Sequence, residues 1–201
     1  FKGCANLRSV TFPRTFSNAN GPVSGSIDVS EFRGCENLKY VTAANPSLKI
    51  TGGAVDTSYT FDSFKADVPA EFYLESVDSS QFHTCATNNY MAFSYLNSDG
   101  TKQNLYELTV QETSGKKAVY RVNSSNQLVY CEFDSGLETV TMPDTVGPYQ
   151  ITVIGSGIFR NNCYLRRITI PSSITTIEDS AFKGCHNLKD VIFKEPVNIT
   201  S

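Results

Sequence analysis

The chain has 201 residues, which is enough for one ordinary domain or one elongated repeat array with a sizeable core. Only 18% of the residues are charged, and Asn, Ser, Thr and Tyr supply much of the remaining polarity, a balance that suits a secreted or surface-exposed β-rich protein. The net charge of -3 gives little support for a nucleic-acid partner, and no apolar run is long enough to predict a membrane span.

The N-terminal segment contains two copies of one sequence motif, which we call the phrase. Repeat 1 reads FKGCANLRSVTF at residues 1–12, and repeat 2 reads IDVSEFRGCENLKYVTA at residues 27–43. In both copies a Cys follows the Phe by three residues and a Leu follows the Cys by three. Two apolar residues separated by one position come next, Val10 and Phe12 in repeat 1 and Val41 and Ala43 in repeat 2. Side chains two apart point to the same face of a strand, so each copy predicts a short strand with one buried face.

A degenerate copy, repeat 3, follows at residues 77–93. Its apolar positions are filled by Val77, Phe82, Cys85, Met91 and Phe93, while Asn88 stands in the Leu position. A further copy at residues 61–64 would place Phe64 in the Cys position. Since the residues after it do not keep the register, the alternative is that this segment is not a copy.

The phrase is absent between residues 95 and 136, where short alternating runs are separated by turn residues. Strands are predicted at 105–110, 118–122 and 128–133, with turns at 97–100, 113–116 and 123–126. We interpret the segment as a β-hairpin-rich insert, or alternatively as a cap of a second array. The predicted organisation is therefore repeats at 1–94, an insert or cap at 95–136, and repeats at 137–201.

The C-terminal segment contains two clear copies. Repeat 4 reads IGSGIFRNNCYLRRITI at 154–170, and repeat 5 reads IEDSAFKGCHNLKDVIF at 177–193, so Phe159 and Phe182 are 182 − 159 = 23 residues apart. One copy buries about five large side chains, at roughly 1.5–3 kcal/mol each. That gain does not offset an ordering cost of about 1.5 kcal/mol per residue, so copies must stack. Residues 197–201 predict the start of another repeat, and a longer parent protein is expected.

The phrase AFKGCHNLKDV at residues 181–191 resembles the repeats of BspA-like surface proteins. The resemblance covers 1–43 and 137–193 well and 77–93 weakly. It implies a leucine-rich-repeat solenoid of the α/β class, mostly β with short helical turns, in a right-handed coil of ~23-residue repeats interrupted by the insert. It also implies an extracellular, cell-surface or secreted protein that adheres to host matrix proteins or other cells.

The cysteines fall into a pattern that predicts packing. Five share one repeat position by our alignment, namely Cys4, Cys35, Cys85, Cys163 and Cys185, whereas Cys131 lies in the insert. We expect inward-facing thiols in a stacked column, with pairing of stacked neighbours as the alternative. A zinc site using His83 and His186 is disfavoured, because His186 stands in a variable, solvent-facing position. The sequence contains no recognisable catalytic motif, so we predict that the protein is not an enzyme and binds no metal or cofactor.

The outward strand face carries the predicted binding residues. Two columns are expected, one with Thr11, Thr42, Thr141, Thr169 and Ile192, the other with Ser9, Tyr40, Thr139, Arg167 and Asp190. They form either a solvated threonine ladder or a docking surface for a protein partner, with Tyr40 and Arg167 as anchors. The site predicted from them comprises Tyr40, Thr42, Arg167, Thr169 and Asp190.

Two other functions stay open at this point. The first is glycan binding by the insert, with Tyr95, Tyr106, Tyr120 or Tyr130 stacking on sugars, although the chain has no Trp. The second is a structural stalk that displays another domain. Asn123 and Asn198 also stand in N-x-S/T patterns, which are acceptors for glycosylation in some organisms.

Overall fold

The structure, a computed structural model, describes residues 1–16, 25–54 and 56–195. The further repeat expected at 197–201 and the acceptor pattern at Asn198 lie outside these residues. The chain forms two compact units, Phe1–Asn104 and Leu105–Ser201, which are described in turn. The three-part division into repeats, insert and repeats stays a prediction. Within the described ranges, no helix has the length and apolarity needed to span a membrane.

The first unit is built from short parallel strands that alternate with helical turns. Its elements are β1 (Ser9–Phe12), β2 (Ser26–Asp28), a 3-10 helix (Val29–Phe32), β3 (Tyr40–Ala43), β4 (Lys49–Thr51), α1 (Phe61–Asp67), β5 (Tyr73–Val77), α2 (Gln81–Asn88) and β6 (Ala92–Leu96). Strands β1, β3, β5 and β6 pair in parallel in that order, and β2 pairs with β4. The helices begin where the sequence supplies capping side chains: Thr60 caps α1 and Ser80 caps α2.

The second unit combines an antiparallel meander with parallel strands. Its elements are β7 (Lys102–Gln111), which starts at the end of the first unit, β8 (Lys117–Asn123), β9 (Gln127–Phe133), β10 (Thr139–Thr141), β11 (Thr145–Val146), β12 (Tyr149–Gln150), β13 (Val153–Ile154), β14 (Arg167–Ile170), β15 (Thr176–Ile177) and β16 (Asp190–Phe193). Strands β7, β8 and β9 are antiparallel, whereas β9, β13 and β15, and separately β10, β14 and β16, pair in parallel. The three strands predicted between 105 and 133 lie inside β7, β8 and β9.

Strand register confirms the two predicted columns within each unit. Ser9 lies opposite Tyr40 and Thr11 opposite Thr42 in the first unit. In the second, one column is Thr139, Arg167 and Asp190 and the other is Thr141, Thr169 and Ile192. The offset between paired residues is 190 − 167 = 23 between β14 and β16 but 40 − 9 = 31 between β1 and β3. Connections between strands therefore vary in length while the apolar positions keep the register.

Aromatic rings stack from repeat to repeat inside each unit. Phe159 lies between Phe133 and Phe182, with ring centroids 5.9 and 4.9 Å away. In the first unit, Phe32 stacks on Phe1 at 5.7 Å and approaches Phe64 at 6.0 Å. The placement of Phe64 in the Cys position was therefore wrong. Helix α1 stands where repeat 2 has the 3-10 helix Val29–Phe32, and its buried Phe64 ring joins the stack of aromatic rings, which we call the aromatic column.

The cysteine alignment needs one correction, at Cys163. In repeats 1, 2 and 5 the backbone N–H of the Cys donates to the carbonyl of the Phe three residues earlier, and in repeat 4 Asn162 donates to Phe159 in the same way at 3.1 Å. Asn162 therefore occupies the cysteine position, and Cys163 is displaced by one residue and exposed. Cys4 is exposed as well, whereas Cys35 and Cys85 are buried as expected.

Asparagine side chains connect consecutive repeats. Asn37 Nδ2 donates to the carbonyl oxygen of Ala5 at 2.8 Å, and Asn187 Nδ2 donates to the carbonyl oxygen of Cys163. Both asparagines stand two residues after the cysteine of their own repeat. Each satisfies a backbone acceptor in the preceding repeat, where the chain makes an irregular turn.

In repeats 1, 2, 4 and 5 the turn after the Phe has a left-handed backbone. Gly3 and Gly34 have φ of 75° and Gly184 has φ of 79°, whereas repeat 4 has Asn161 at φ of 59° in this position. Asn tolerates this conformation better than other residues with a Cβ, and Gly tolerates it best.

We therefore expect Asn161→Ala to lower the free energy of unfolding by about 1 kcal/mol and Asn161→Gly to leave it unchanged or raised. Urea denaturation of the two variants beside the parent chain measures the difference. Equal losses in both variants would mean that the amide group of Asn161, rather than its backbone conformation, stabilises the turn.

Candidate functional site

The exposed strand face of β10, β14 and β16 carries the candidate site. We call it the strand-face patch and define it by Thr139, Thr141, Arg167, Thr169, Asp190 and Ile192. Arg167 Nε and Nη2 both donate to Asp190 Oδ2, at 3.0 and 2.7 Å, and both side chains are about half exposed. Ile192 is 45% exposed, and Thr139 and Thr141 face solvent, while Thr169 is half-buried. Three of the five predicted site residues, Arg167, Thr169 and Asp190, thus meet on one face.

This arrangement suits a large partner better than a small ligand. The patch offers an ion pair, threonine hydroxyls and methyls, and one exposed aliphatic side chain on a regular three-stranded sheet. An exposed pair such as Arg167–Asp190 contributes little to stability. Its guanidinium can exchange one carboxylate for another without leaving a buried charge unpaired.

The other two predicted site residues lie on β3 of the first unit, where neighbouring side chains cover much of the strand face. Thr42 is only 7% exposed, and its hydroxyl donates to Glu75 Oε1 at 2.9 Å. The expectation of an exposed Thr42 was therefore wrong. Tyr40 is half-buried, because its ring stacks on Tyr73 at 5.3 Å and the ammonium group of Lys102 lies 5.0 Å from its centroid.

A buried carboxylate explains this closure. Glu75 is 2% exposed and is bound by Thr42, by Ser94 Oγ at 3.1 Å and by Lys102 Nζ at 3.0 Å. These four residues form what we call the Glu75 cluster. A carboxylate can be buried only when hydrogen bonds and an opposite charge compensate for lost hydration, and both are present here. The cluster is a satisfied structural element that leaves no open face for a ligand at Thr42.

The tyrosines proposed to stack on sugars are mostly buried. Tyr95, Tyr106 and Tyr120 are 3%, 4% and 0% exposed, so these three cannot present a ring to a ligand. Tyr130 is 37% exposed. The guanidinium of Arg121 lies 4.6 Å from its ring centroid, and its hydroxyl donates to Glu132 Oε2 at 2.6 Å. The glycan hypothesis therefore rests on a single aromatic ring that already has partners.

The histidine and cysteine groups show packing rather than ligand geometry. His83 Nδ1 lies 3.2 Å from Asp78 Oδ1, and its ring packs 4.6 Å from Phe93. Burial raises the pKa of the Cys85 thiol to about 12, so it stays protonated at neutral pH. In the part of the chain that the structure describes, no three or more His, Cys, Asp or Glu residues are grouped as metal ligands would be.

A shallow groove in the second unit was not foreseen from the sequence. Its lining includes Phe133, Asp134, Asn162 and Tyr164. Asp134 Oδ2 accepts from the backbone N–H of Lys117 at 2.7 Å, and Asn162 Oδ1 accepts from the N–H of Tyr164 at 3.0 Å. These polar groups serve the turns around the groove, so it offers little that would select a ligand.

Thiol alkylation of the native chain tests the corrected cysteine positions. With iodoacetamide near pH 8, we expect Cys4 and Cys163 to be labelled first, because both are exposed. Cys85 should be protected, since it is buried and burial raises the pKa of its thiol to about 12. Mass spectrometry of digested samples gives the labelling rates, and the chain in urea, where all cysteines react, is the control. If Cys163 were labelled as slowly as Cys85, the Cys163 side chain would face inward, as the sequence alignment predicted.

Comparison with known proteins agrees with the repeat analysis. The profile of the family described as BspA type Leucine rich repeat region matches six copies, over residues 1–125 and 105–201, which confirms the resemblance found in the sequence. None of the curated proteins matches the chain.

Two solved structures are similar to the chain. One is a leucine-rich repeat protein from Bacteroides capillosus ATCC 29799, with 25% identity over 44% of this chain and 67% of that one, at a TM-score of 0.34. The other is a leucine rich cell surface protein from Faecalibacterium prausnitzii A2-165, with 17% identity over 94% of this chain and a TM-score of 0.26. The chain covers 32% of the length of that cell surface protein.

Proposed function

Because the chain belongs to the BspA-type leucine-rich repeat family, we propose that it is a non-enzymatic, cell-surface or secreted scaffold that binds an extracellular protein partner. Adhesion to host matrix proteins or to other cells is the role that this family membership favours. The observation that carries the proposal is the strand-face patch, in which equivalent residues of three parallel strands are aligned and, apart from the half-buried Thr169, are at least about half exposed.

We place the partner on the strand-face patch, with Arg167 as its anchor. Arginine is enriched among the residues that dominate binding energy, and a guanidinium held at a defined position loses little conformational entropy on binding. Arg167 has that position, since two of its nitrogens are held by one oxygen of Asp190. Thr169 and Ile192 next to it provide contact area of the mixed polar and apolar kind typical of protein interfaces. The first-unit residues Tyr40 and Thr42 are not part of this proposed surface.

Binding of the purified chain to a panel of purified extracellular-matrix proteins, measured by surface plasmon resonance, tests the proposal. For a partner bound through the patch, we expect Arg167→Ala to weaken the affinity about 10- to 30-fold, which corresponds to about 1.4–2 kcal/mol. Arg166→Ala is the matched control. Arg166 immediately precedes Arg167, is similarly exposed and is also paired with a carboxylate, that of Glu138 at 3.3 Å.

The two variants separate a patch-bound partner from general charge effects. Equal losses for Arg166→Ala and Arg167→Ala would assign the binding to net charge and would contradict the patch as its site. A chain that binds none of the matrix proteins would favour the structural-stalk alternative instead.

For the architecture, we propose that the repeats wind as a right-handed solenoid of ~23 residues per turn wherever the phrase is intact. Two offsets support this length, 190 − 167 = 23 between β14 and β16 and 176 − 153 = 23 between β13 and β15. The segment 95–136 is proposed as an insert or cap, because β7, β8 and β9 pair with one another in antiparallel fashion, while β9 alone continues in parallel to β13. A crystal structure in which these offsets differ would contradict the repeat length.

A further inference from the structure

Cys4 and Cys35 occupy equivalent positions in neighbouring repeats of the first unit. They are 35 − 4 = 31 residues apart, and the strands that follow them pair with the same offset, Ser9 with Tyr40. The glycines just before them are in close contact, since a Cβ placed on Gly34 would lie 3.4 Å from Gly3 Cα. Equivalent backbones of paired strands are about 4.8 Å apart, which falls within the Cα–Cα range of roughly 4.4–6.8 Å found for disulfides.

The Cys35 side chain also points toward the Cys4 turn. Its Sγ donates to the carbonyl oxygen of Phe1 at 3.2 Å, and that same carbonyl accepts the backbone N–H of Cys4 at 3.1 Å. Burial raises the pKa of the Cys35 thiol; the backbone N–H of Cys4 opposes this shift and the Cys4 thiol adds to it. The Cys35 sulfur therefore lies beside the backbone of the turn that carries Cys4.

We propose that Cys4 and Cys35 are a site of reversible oxidation, at which a small-molecule disulfide of the glutathione type converts the two thiols into a disulfide that links neighbouring repeats. The exposed Cys4, as its thiolate, attacks one sulfur of the glutathione disulfide and releases one glutathione thiolate. The Cys35 thiolate then attacks Cys4 Sγ in the mixed disulfide and releases the second glutathione. The protein loses two protons and two electrons, and one glutathione disulfide becomes two glutathione thiols.

The second unit lacks this site although it has the same turn. Cys185 Sγ donates to the carbonyl oxygen of Phe159 at 2.9 Å, as Cys35 does to Phe1, but Asn162 stands where Cys4 would be. Cys163 is one residue further along and exposed, while the Cys185 sulfur points to the Phe159 turn. The chain thus contains an internal comparison: one stacked pair that has two sulfurs and one that has a sulfur facing an amide.

Equilibration of the purified chain in glutathione redox buffers tests the site, with free thiols counted by mass spectrometry after alkylation in urea. We expect a loss of two free thiols and a non-reduced peptide that joins Cys4 to Cys35. Cys4→Ser should form no such link, whereas Cys163→Ser, which removes the other exposed cysteine, should form it as fully as the parent chain. Oxidation should also raise the urea midpoint of the chain, and dithiothreitol should reverse that shift, because the link closes a loop of the unfolded chain.

Three results would overturn the proposal. Glutathione could remain attached to Cys4 while Cys35 stays free, which would mean that the two sulfurs cannot meet. Two chains could instead become linked through Cys4. The thiols could also remain fully reduced at every glutathione ratio. Because the test needs no binding partner, its failure would leave the proposed binding function untouched, and loss of partner binding would leave the disulfide site untouched.

Discussion

Replacing Phe159 with alanine is expected to lower the free energy of unfolding by about 3–5 kcal/mol. Phe159 is 2% exposed, and its ring is stacked between Phe133 and Phe182. The variant loses the burial of a large apolar side chain. It leaves a cavity that the two flanking rings cannot fill, since one belongs to β9 and the other to repeat 5. Urea denaturation followed by circular dichroism or intrinsic tyrosine fluorescence measures the loss.

Tyr164→Ala is the control for this experiment. Tyr164 is an aromatic residue of the same repeat but is 50% exposed, so its removal should cost under about 1 kcal/mol. If both variants lost a similar free energy of unfolding, the stacked rings of Phe133, Phe159 and Phe182 would not be the main stabilising element of the second unit.

Lys102→Met is expected to lower the free energy of unfolding by about 2–3 kcal/mol, because it leaves the buried Glu75 carboxylate without its cation. The lower part of the range usual for buried pairs applies, since the Lys102 side chain is 46% exposed and water partly screens the pair. Methionine keeps most of the aliphatic stem. The loss therefore measures the charge interaction more than the packing, and urea denaturation reports it.

A double-mutant cycle isolates the Glu75–Lys102 interaction. Glu75→Gln removes the negative charge but keeps hydrogen-bonding groups for Thr42 and Ser94, so Lys102→Met should cost much less in this background. We expect a coupling energy of about 1–3 kcal/mol between the two sites. Additive losses would show that Lys102 acts through its contact with the Tyr40 ring rather than through Glu75.

The apolar phrase predicted most of the repeat strands and their register. Two apolar positions separated by one residue define the buried face of a strand, and pairing those positions between copies predicted that Thr139 lies opposite Arg167 and Arg167 opposite Asp190. This part of the fold is local, because the pattern within each copy determines it. The meander strands were predicted for the same reason, from alternation and turn residues in adjacent segments.

The burial of Thr42 depends on residues that the phrase does not include. Thr42 lies opposite Glu75, and Glu75 lies opposite Ser94, so all three belong to one column across β3, β5 and β6. The connections between these strands have irregular lengths, with offsets of 75 − 42 = 33 and 94 − 75 = 19. Without an intact phrase to set the register, the positions of Glu75 and Ser94 in this column and the approach of Lys102 could not be predicted from the sequence.

The displaced Cys163 shows a signal that the sequence did contain. Phe159 and Leu165 are six residues apart, as are Phe182 and Leu188, so alignment on Phe and Leu puts Asn162, not Cys163, opposite Cys185. Aligning the repeats on their cysteines instead placed Cys163 opposite Cys185, which was wrong. Phe and Leu are the better guide because their side chains fill the core and limit the spacing, whereas a small polar residue can replace the thiol.

The asparagine bonds between repeats determine how such a chain loses its structure. Because Asn37 and Asn187 each satisfy a carbonyl of the repeat before their own, disorder in one repeat deprives its predecessor of a hydrogen bond as well as of packing. Nearest-neighbour coupling of this kind makes adjoining repeats melt as one cooperative block. Amide hydrogen exchange would therefore proceed at a common rate across both members of a coupled pair, instead of falling stepwise from one member to the next.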